Sequence, residues 1–290
     1  MSIKARTEDR IFNIMNALIL SFLVIVTLYP FINTLAVSLN QPLDTVRGGI
    51  YLWPRQFTWI NYEKILAKPE VYMGALTSFL RTLVGPILTV TSCLMVAYGI
   101  SRKDFVLRKF VTTAFILTMY FSGGLIPYYF LIRGLHMINS FFVYVIPPLV
   151  NAWYILVIRS YISELPESII ESAKIDGASE IRILRSIIFP LCIPVLATMV
   201  LFAAVDQWNS WFDTMLFCPT VKELTTLQFE LQKVLQTAAQ MRTVDYTQAL
   251  TNNNVNITPT SIRAAMTIIV TIPIAVVYPF LQKYFIKGLT

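Results

Sequence analysis

The sequence predicts an all-α, polytopic membrane protein with six transmembrane helices, and three observations carry that reading. Hydrophobic residues make up 56% of the 290 positions and charged residues only 13%, with a mean hydropathy of +0.64, a balance foreign to water-soluble domains. Six apolar stretches approach or exceed the roughly 20 residues a helix needs to cross about 30 Å of hydrocarbon. The basic residues gather in short connectors between those stretches, which is the positive-inside arrangement.

The spans fall at 11–37, 74–100, 110–132, 141–162, 191–212 and 262–285. The first is too long for the apolar region of a cleavable signal and no small-residue cleavage site follows it, so it is expected to be a span. Lys4, Arg6 and Arg10 precede it, and Arg102, Lys103, Arg108 and Lys109 fill the turn after the second. Arg159, Lys174, Arg182 and Arg185 surround the connector after the fourth, and Lys283 and Lys287 close the chain. Six spans put these groups on one side, which predicts a multi-pass membrane protein with both termini cytoplasmic. The net charge of +7 then needs no nucleic acid, and no finger, RGG or base-stacking pattern suggests one.

Two larger connectors lie on the opposite side. Residues 38–73 hold Trp53-Pro54 and the run Phe57-Thr58-Trp59-Ile60-Asn61-Tyr62, suited to a membrane interface. Residues 213–261 read as a long polar loop with an Asn252-Asn253-Asn254 run and Pro259, and loops of that length are functional or disordered. No soluble domain is expected, so 1–290 reads as a single transmembrane domain.

Chemistry-bearing clusters are sparse. Cys93, Cys192 and Cys218 are far apart and His136 is the sole histidine, which predicts neither a disulfide framework nor a metal site. Asp206 and Asp213, seven apart, would lie two turns along one helix face, but no histidine or further acid joins them. A membrane enzyme acting on lipids or lipid-linked sugars is therefore disfavoured. No Gly-x-x-x-x-Gly-Lys-Ser/Thr run occurs, so ATP hydrolysis is not expected of this chain.

Near mid-span, Tyr120, Asn151 and Tyr154 offer aromatic faces and an amide, the groups that cover sugar C–H patches and bond hydroxyls. Helix packing explains such residues as well. Trp208, Trp211 and Phe212, at i, i+3, i+4, read as an aromatic belt or a substrate gate. Arg81 sits near an outer span end, from which arginine can snorkel to water. Gly123-Gly124 with Pro127 should kink the third span or let helices approach closely.

The most informative segment is 164–190, too polar for the bilayer and too regular for a loose connector. Pro166 suits a first helical turn, Glu167 the positive end of the helix, and Ile169, Ile170 and Ala173 an apolar stripe. Asp176-Gly177 should end that helix, because glycine accepts the left-handed conformation a C-cap needs. Ser179 and Glu180 can start another that leads through Ile183, Ile187 and Phe189 to Pro190. On pattern alone this is either a docking element or an amphipathic helix resting on lipid.

The segment resembles the "EAA" loop of permeases from binding-protein-dependent ATP-binding-cassette importers: Glu-Ala-Ala, three residues, Gly, nine residues, Ile, a spacer, Leu, Pro. Glu171, Ala173, Gly177, Ile187 and Pro190 match at that spacing, with Ser172 in the second position and Phe189 at the leucine. The stretch Ser122-Gly123-Gly124-Leu125-Ile126-Pro127, the motif Trp208-Asn209-Ser210 and the ending Gln282 to Gly288 are similar to the carbohydrate branch related to maltose permeases, in particular its polysaccharide-linked members. Those members usually continue several residues beyond that glycine, whereas this chain runs to Thr290. The resemblance extends over essentially the whole chain.

It implies a bacterial inner membrane, the type I importer permease fold and a coupling helix within 164–190. Glu171, Ser172, Ala173, Asp176, Gly177 and Ala178 would dock on a partner ATPase subunit. It further implies a heterodimer with a second permease, two ATP-binding subunits carrying ATP and Mg, and an extracellular solute-binding protein met by 213–261. Tyr120, Asn151, Tyr154, Trp208 and Asn209 are the candidate substrate pathway for an oligosaccharide or polysaccharide. A same-fold permease for a polyamine or phosphate ester is the alternative, and the scarcity of intramembrane charge favours a neutral cargo.

Overall fold

A computed structural model describes residues 7–241 and 258–288. They fall in two compact units, one of 7–68 with 233–241 and 258–272, the other of 69–232 with 273–288. Four described helices are long and apolar enough to cross a membrane, and the count reaches six if each of two bent helix pairs forms one span.

In the first unit, α1 (Thr7–Ser38) is followed by the short helices α2 (Pro42–Val46) and α3 (Ile60–Leu66). None of the most apolar window of α1 is buried, and a helix apolar all round belongs in hydrocarbon or against another apolar surface. The connector beyond it is a tight polar knot. Asn40 and Asn61, both fully buried, add side-chain bonds to a single antiparallel bridge between Asn40 and Phe57. Asn40 donates to Asp44 Oδ2 at 3.0 Å and accepts the Gln56 N–H at 2.8 Å. Asn61 donates to the carbonyls of Ser38 and Asn40. Arg55 clamps Asp44 at 3.0 Å. The hydrogen bond from Asn40 and the charge of Arg55 hold the Asp44 carboxyl below its ordinary range.

The second unit is built on α4 (Pro69–Ser101), followed by α5 (Arg108–Tyr120), α6 (Leu125–Gly134), α7 (Phe142–Val145) and a 3₁₀ turn at Pro147–Leu149. Then come α8 (Ala152–Glu164), α9 (Glu167–Ile175), α10 (Glu180–Ile183), a π-helical stretch Leu184–Ile188 and α11 (Phe189–Asn209). After these, α12 (Phe212–Phe217) and a second 3₁₀ turn, Lys222–Leu224, lead to α13 (Leu227–Met241), whose residues from Lys233 on belong to the first unit, as does α14 (Pro259–Gly288) up to Ile272. The core lies where α4 packs on α8 and α11. Cys93, Ala97, Ile155, Ile158, Ile188 and Cys192 are fully buried there, at the three- and four-residue spacing that makes a helical stripe. All three cysteines are free and buried.

Both middle spans are broken, whereas the sequence points to a kink in the third alone. Between α5 and α6 the axis turns by 118°, at a Gly124 whose φ of +83° only glycine adopts readily. Pro127 sits in the first turn of α6, where its missing N–H costs nothing. The expected kink is thus a turn well beyond a right angle. Between the Pro147–Leu149 turn and α8 the bend is 46°. Ser92 donates to the freed carbonyl of Leu149, and Cys93 Sγ lies 3.6 Å from the same oxygen.

The α10 to α11 run is continuous from Glu180 to Asn209. Its π-helical stretch ends just before Pro190, whose ring removes one backbone donor and crowds the preceding turn. The helix stops at Asn209, with Ser210 extended. Trp208, Trp211 and Phe212 therefore share no helix face, and Asp206 and Asp213 are not two turns apart on one helix. Nor is 213–241 a polar loop. Thr77 bonds the Glu223 carbonyl at 2.9 Å, Ser78 takes the Leu227 N–H at 2.9 Å, and Lys222 pairs with Glu70. Gly74 has no side chain to strike the backbone at Thr226 and Leu227, which would lie 3.1 Å from an added Cβ. The Asn252-Asn253-Asn254 run lies outside the described residues.

Candidate functional site

Two places in the second unit carry concentrated polar chemistry. The first is a cavity of about 320 Å³ lined by α4, α6, α8, α11 and α12, with Tyr128, Asn151, Tyr154 and Asp206 on its wall. It exists because α8 begins inside the bundle. Asn151 caps that helix, its side chain accepting the Tyr154 N–H at 3.1 Å. Tyr154 then reaches across to donate to Asp206 Oδ2 at 3.1 Å.

Arg81 forms the floor and is 1% exposed. It does not snorkel, because its charge is met inside the protein. Its guanidinium donates to Asp213 at 2.5 and 3.2 Å and to Gln207 Oε1 at 2.7 Å, and it stacks 4.3 Å from the centre of the Tyr144 ring. Such a bidentate pair is among the strongest that side chains make. Gln207 passes the network on, donating to the Tyr144 carbonyl at 2.8 Å. There is room for its amide only because position 85 is glycine, whose added Cβ would stand 2.9 Å from Gln207 Nε2.

Of the expected pathway residues, Asn151 and Tyr154 meet at this cavity. Tyr120 does not: it ends α5 and is 80% exposed. Trp208 is half-buried and Asn209 exposed, neither lines the cavity, and the Asn209 amide donates to Val205 of its own helix. Gln207 gives no signal in the sequence; Arg81 and Asp213 do, as an arginine and an aspartate in or beside apolar runs, but the sequence reads them as a snorkelling cation and an acid aligned with Asp206 rather than as a pair.

The second place is the 164–190 connector. Asp176 is the C-cap of α9 and Gly177 has φ of +76°. The Gly177 N–H bonds the Lys174 carbonyl at 3.0 Å and the Ala178 N–H bonds that of Ala173 at 2.9 Å, the paired bonds of a Schellman stop. Ser179 caps α10 by accepting the Arg182 N–H. The inward face of α9 is Ile170 and Ala173, joined by Ala178 against the core. Ile169 is 38% exposed and does not belong to that stripe. Glu171, Ser172, Asp176 and Gly177 are exposed, and so is the apolar Ile175, at 86%.

Charges tie the connector to the turn after α4. Lys174 bridges Glu180 at 2.8 Å and Asp104 at 3.2 Å, Lys103 pairs with Glu167, and the Tyr98 hydroxyl donates to Glu180. Those two carboxylates, Glu180 foremost, hold the Lys174 ammonium above its ordinary range. The Asp104 carboxyl is held low by its own backbone N–H and by Lys174.

The chain's relatives agree with one another. Residues 71–290 match the family described as "Binding-protein-dependent transport system inner membrane component". The chain is 30% identical over 280 residues to protein LplC of Bacillus subtilis (strain 168), covering 97% of this chain and 93% of that one. It is 28% identical over 281 residues, 97% of each chain, to the polygalacturonan/rhamnogalacturonan transport system permease protein YtcP of the same strain. A crystal structure of a bacterial ABC transporter involved in the import of the acidic polysaccharide alginate superposes with a TM-score of 0.84 at 26% identity, over 98% of this chain and 100% of that chain. With a family match across the connector and the cavity alike, and with the fold of an importer permease, this chain belongs to the binding-protein-dependent transport system inner membrane components, the non-enzymatic, multi-pass permeases of such importers.

Proposed function

We propose that this chain forms half of the translocation pathway of an ATP-driven importer for an oligosaccharide or polysaccharide. The cargo arrives on a solute-binding protein that meets the 213–261 region, and both termini face the cytoplasm. ATP and Mg reside on two partner ATPase subunits. Relatives named for arabinooligosaccharides, galactooligosaccharides and trehalose/maltose support the carbohydrate class.

The observation that carries the coupling role is the exposed tip of the connector. Ile175 stands in solvent beside Glu171, Ser172, Asp176 and Gly177, while Ile170, Ala173 and Ala178 anchor the other face. A capped helix with an apolar tip and a rigid base can take a push from a partner and pass it to α4, α8 and α11. The cavity at Asn151, Tyr154 and Asp206 is the cargo contact on this reading, opened to alternate sides as the two-state equilibrium shifts.

The test is ATPase activity of the purified assembly in nanodiscs, with and without sugar-loaded binding protein, for wild type and Gly177→Trp. Stimulation in wild type, lost in the variant at unchanged assembly, is the expected result. A silent substitution, with no ATPase subunit copurifying, would reduce the connector to a membrane-surface helix.

A further inference from the structure

The charge balance of the cavity bears on which saccharides can pass, given the carbohydrate reading above. Its charged lining groups are Arg81, Asp206 and Asp213, so one guanidinium stands against two carboxylates. The guanidinium is not available to a ligand. Asp213 holds it with two bonds, Gln207 with a third, and the Tyr144 ring covers its face. Asp206 is the reverse case. Its residue is exposed, and the one hydrogen bond its carboxylate accepts among the described residues comes from Tyr154, at Oδ2. Oδ1, on the cavity wall, has no partner among the described residues.

We infer that Asp206 is a specificity-determining residue that favours uncharged saccharides and rejects uronates at this subsite. A carboxylate accepts well from neighbouring hydroxyls, and Asn151 and Tyr154 stand beside it to complete a neutral sugar's bonding. A uronate carboxylate on a sugar seated against Asn151 and Tyr154 would lie near Asp206, and the Arg81 guanidinium is already taken. Like charges about 4 Å apart near a protein surface repel strongly enough to cost well over tenfold in affinity. This chain's cargo would then differ from the acidic polysaccharide of the alginate importer it superposes on.

The experiment is equilibrium binding to the complete transporter in nanodiscs, without binding protein. The probes are tetragalacturonate, its fully methyl-esterified form and maltotetraose. Wild type is expected to bind the ester at least about tenfold more tightly than the free acid at low salt, a gap that narrows at about 0.5 M salt as the repulsion is screened. Asp206→Asn should bring the ratio close to one, and Asp206→Glu, which keeps the charge, should preserve it. Equal or tighter binding of the free acid by wild type overturns the inference and leaves the carbohydrate reading standing, as does a ratio that Asp206→Asn leaves unmoved. Binding of none of the three probes overturns the carbohydrate reading itself.

Discussion

Arg81 and Asp213 meet in a bidentate ion pair, 2.5 Å from Nη2 to Oδ2 and 3.2 Å from Nη1 to Oδ1, across 132 residues of sequence. The pair joins the middle of α4 to the first turn of α12. It fixes the geometry of the cavity between them, and its energetics are asymmetric. Burying two charges gains little over apolar packing, but removing one partner strands the other.

Arg81→Ala should therefore destabilise the protein by about 3–5 kcal/mol, leaving the Asp213 charge uncompensated and Gln207 Oε1 without its donor. Arg81→Met combined with Asp213→Leu should recover most of that loss. Unfolding midpoints in a constant detergent would decide it, and a single variant as stable as wild type would remove the pair from the stabilising core.

Gly85→Ala places a methyl 2.9 Å from Gln207 Nε2 and should cost about 1–3 kcal/mol as an overpacked contact. The cost should shrink when Gln207→Ala is added, because the three atoms nearest the new methyl all belong to that side chain. Additive effects of the two substitutions would contradict this account.

At Gly177 the space is open, with nothing within 4 Å of an added Cβ, and only the backbone φ of +76° is at issue. Gly177→Ala should cost about 1–2 kcal/mol of local stability, and Gly177→Asn less, since asparagine tolerates the left-handed region. Amide exchange across 167–180 would report the order glycine, asparagine, alanine.

The Asp104–Lys174–Glu180 ties predict a flat pH response in the physiological range. Asp104 is depressed, so its contribution is present above the ordinary carboxylate value of about 4 and is lost as pH falls below it. Lys174 is raised, so its contribution is complete below 10.5 and lost only as pH rises further. Coupled ATPase, normalised to its basal rate, should hold from about pH 5.5 to 9. Lys174→Gln should lower that ratio at every pH in the window, and a variant ratio equal to wild type would show that the ties do not transmit force.

Sequence alone was enough to determine the class of the molecule and the shape of its connector. Apolar stretches of bilayer length and basic connectors are local properties, and so are the proline, glycine and serine that start, stop and restart α9 and α10. Gly177 had to be the stop because the left-handed cap excludes most side chains, whatever surrounds it. Tertiary structure decided what the local pattern leaves open. Two spans break, because Ser92 and Cys93 on α4 can bond carbonyls freed near Leu149 and because Gly124 turns the chain outright. Helix α11 ends at Asn209 rather than carrying Trp211 and Phe212 on one face. The cavity was half legible: Asn151 and Tyr154 announced themselves as polar groups in apolar runs. Arg81, Gln207 and Asp213 acquire their roles only when α4, α11 and α12 come together, since an ion pair joining positions 132 residues apart has no periodicity to read.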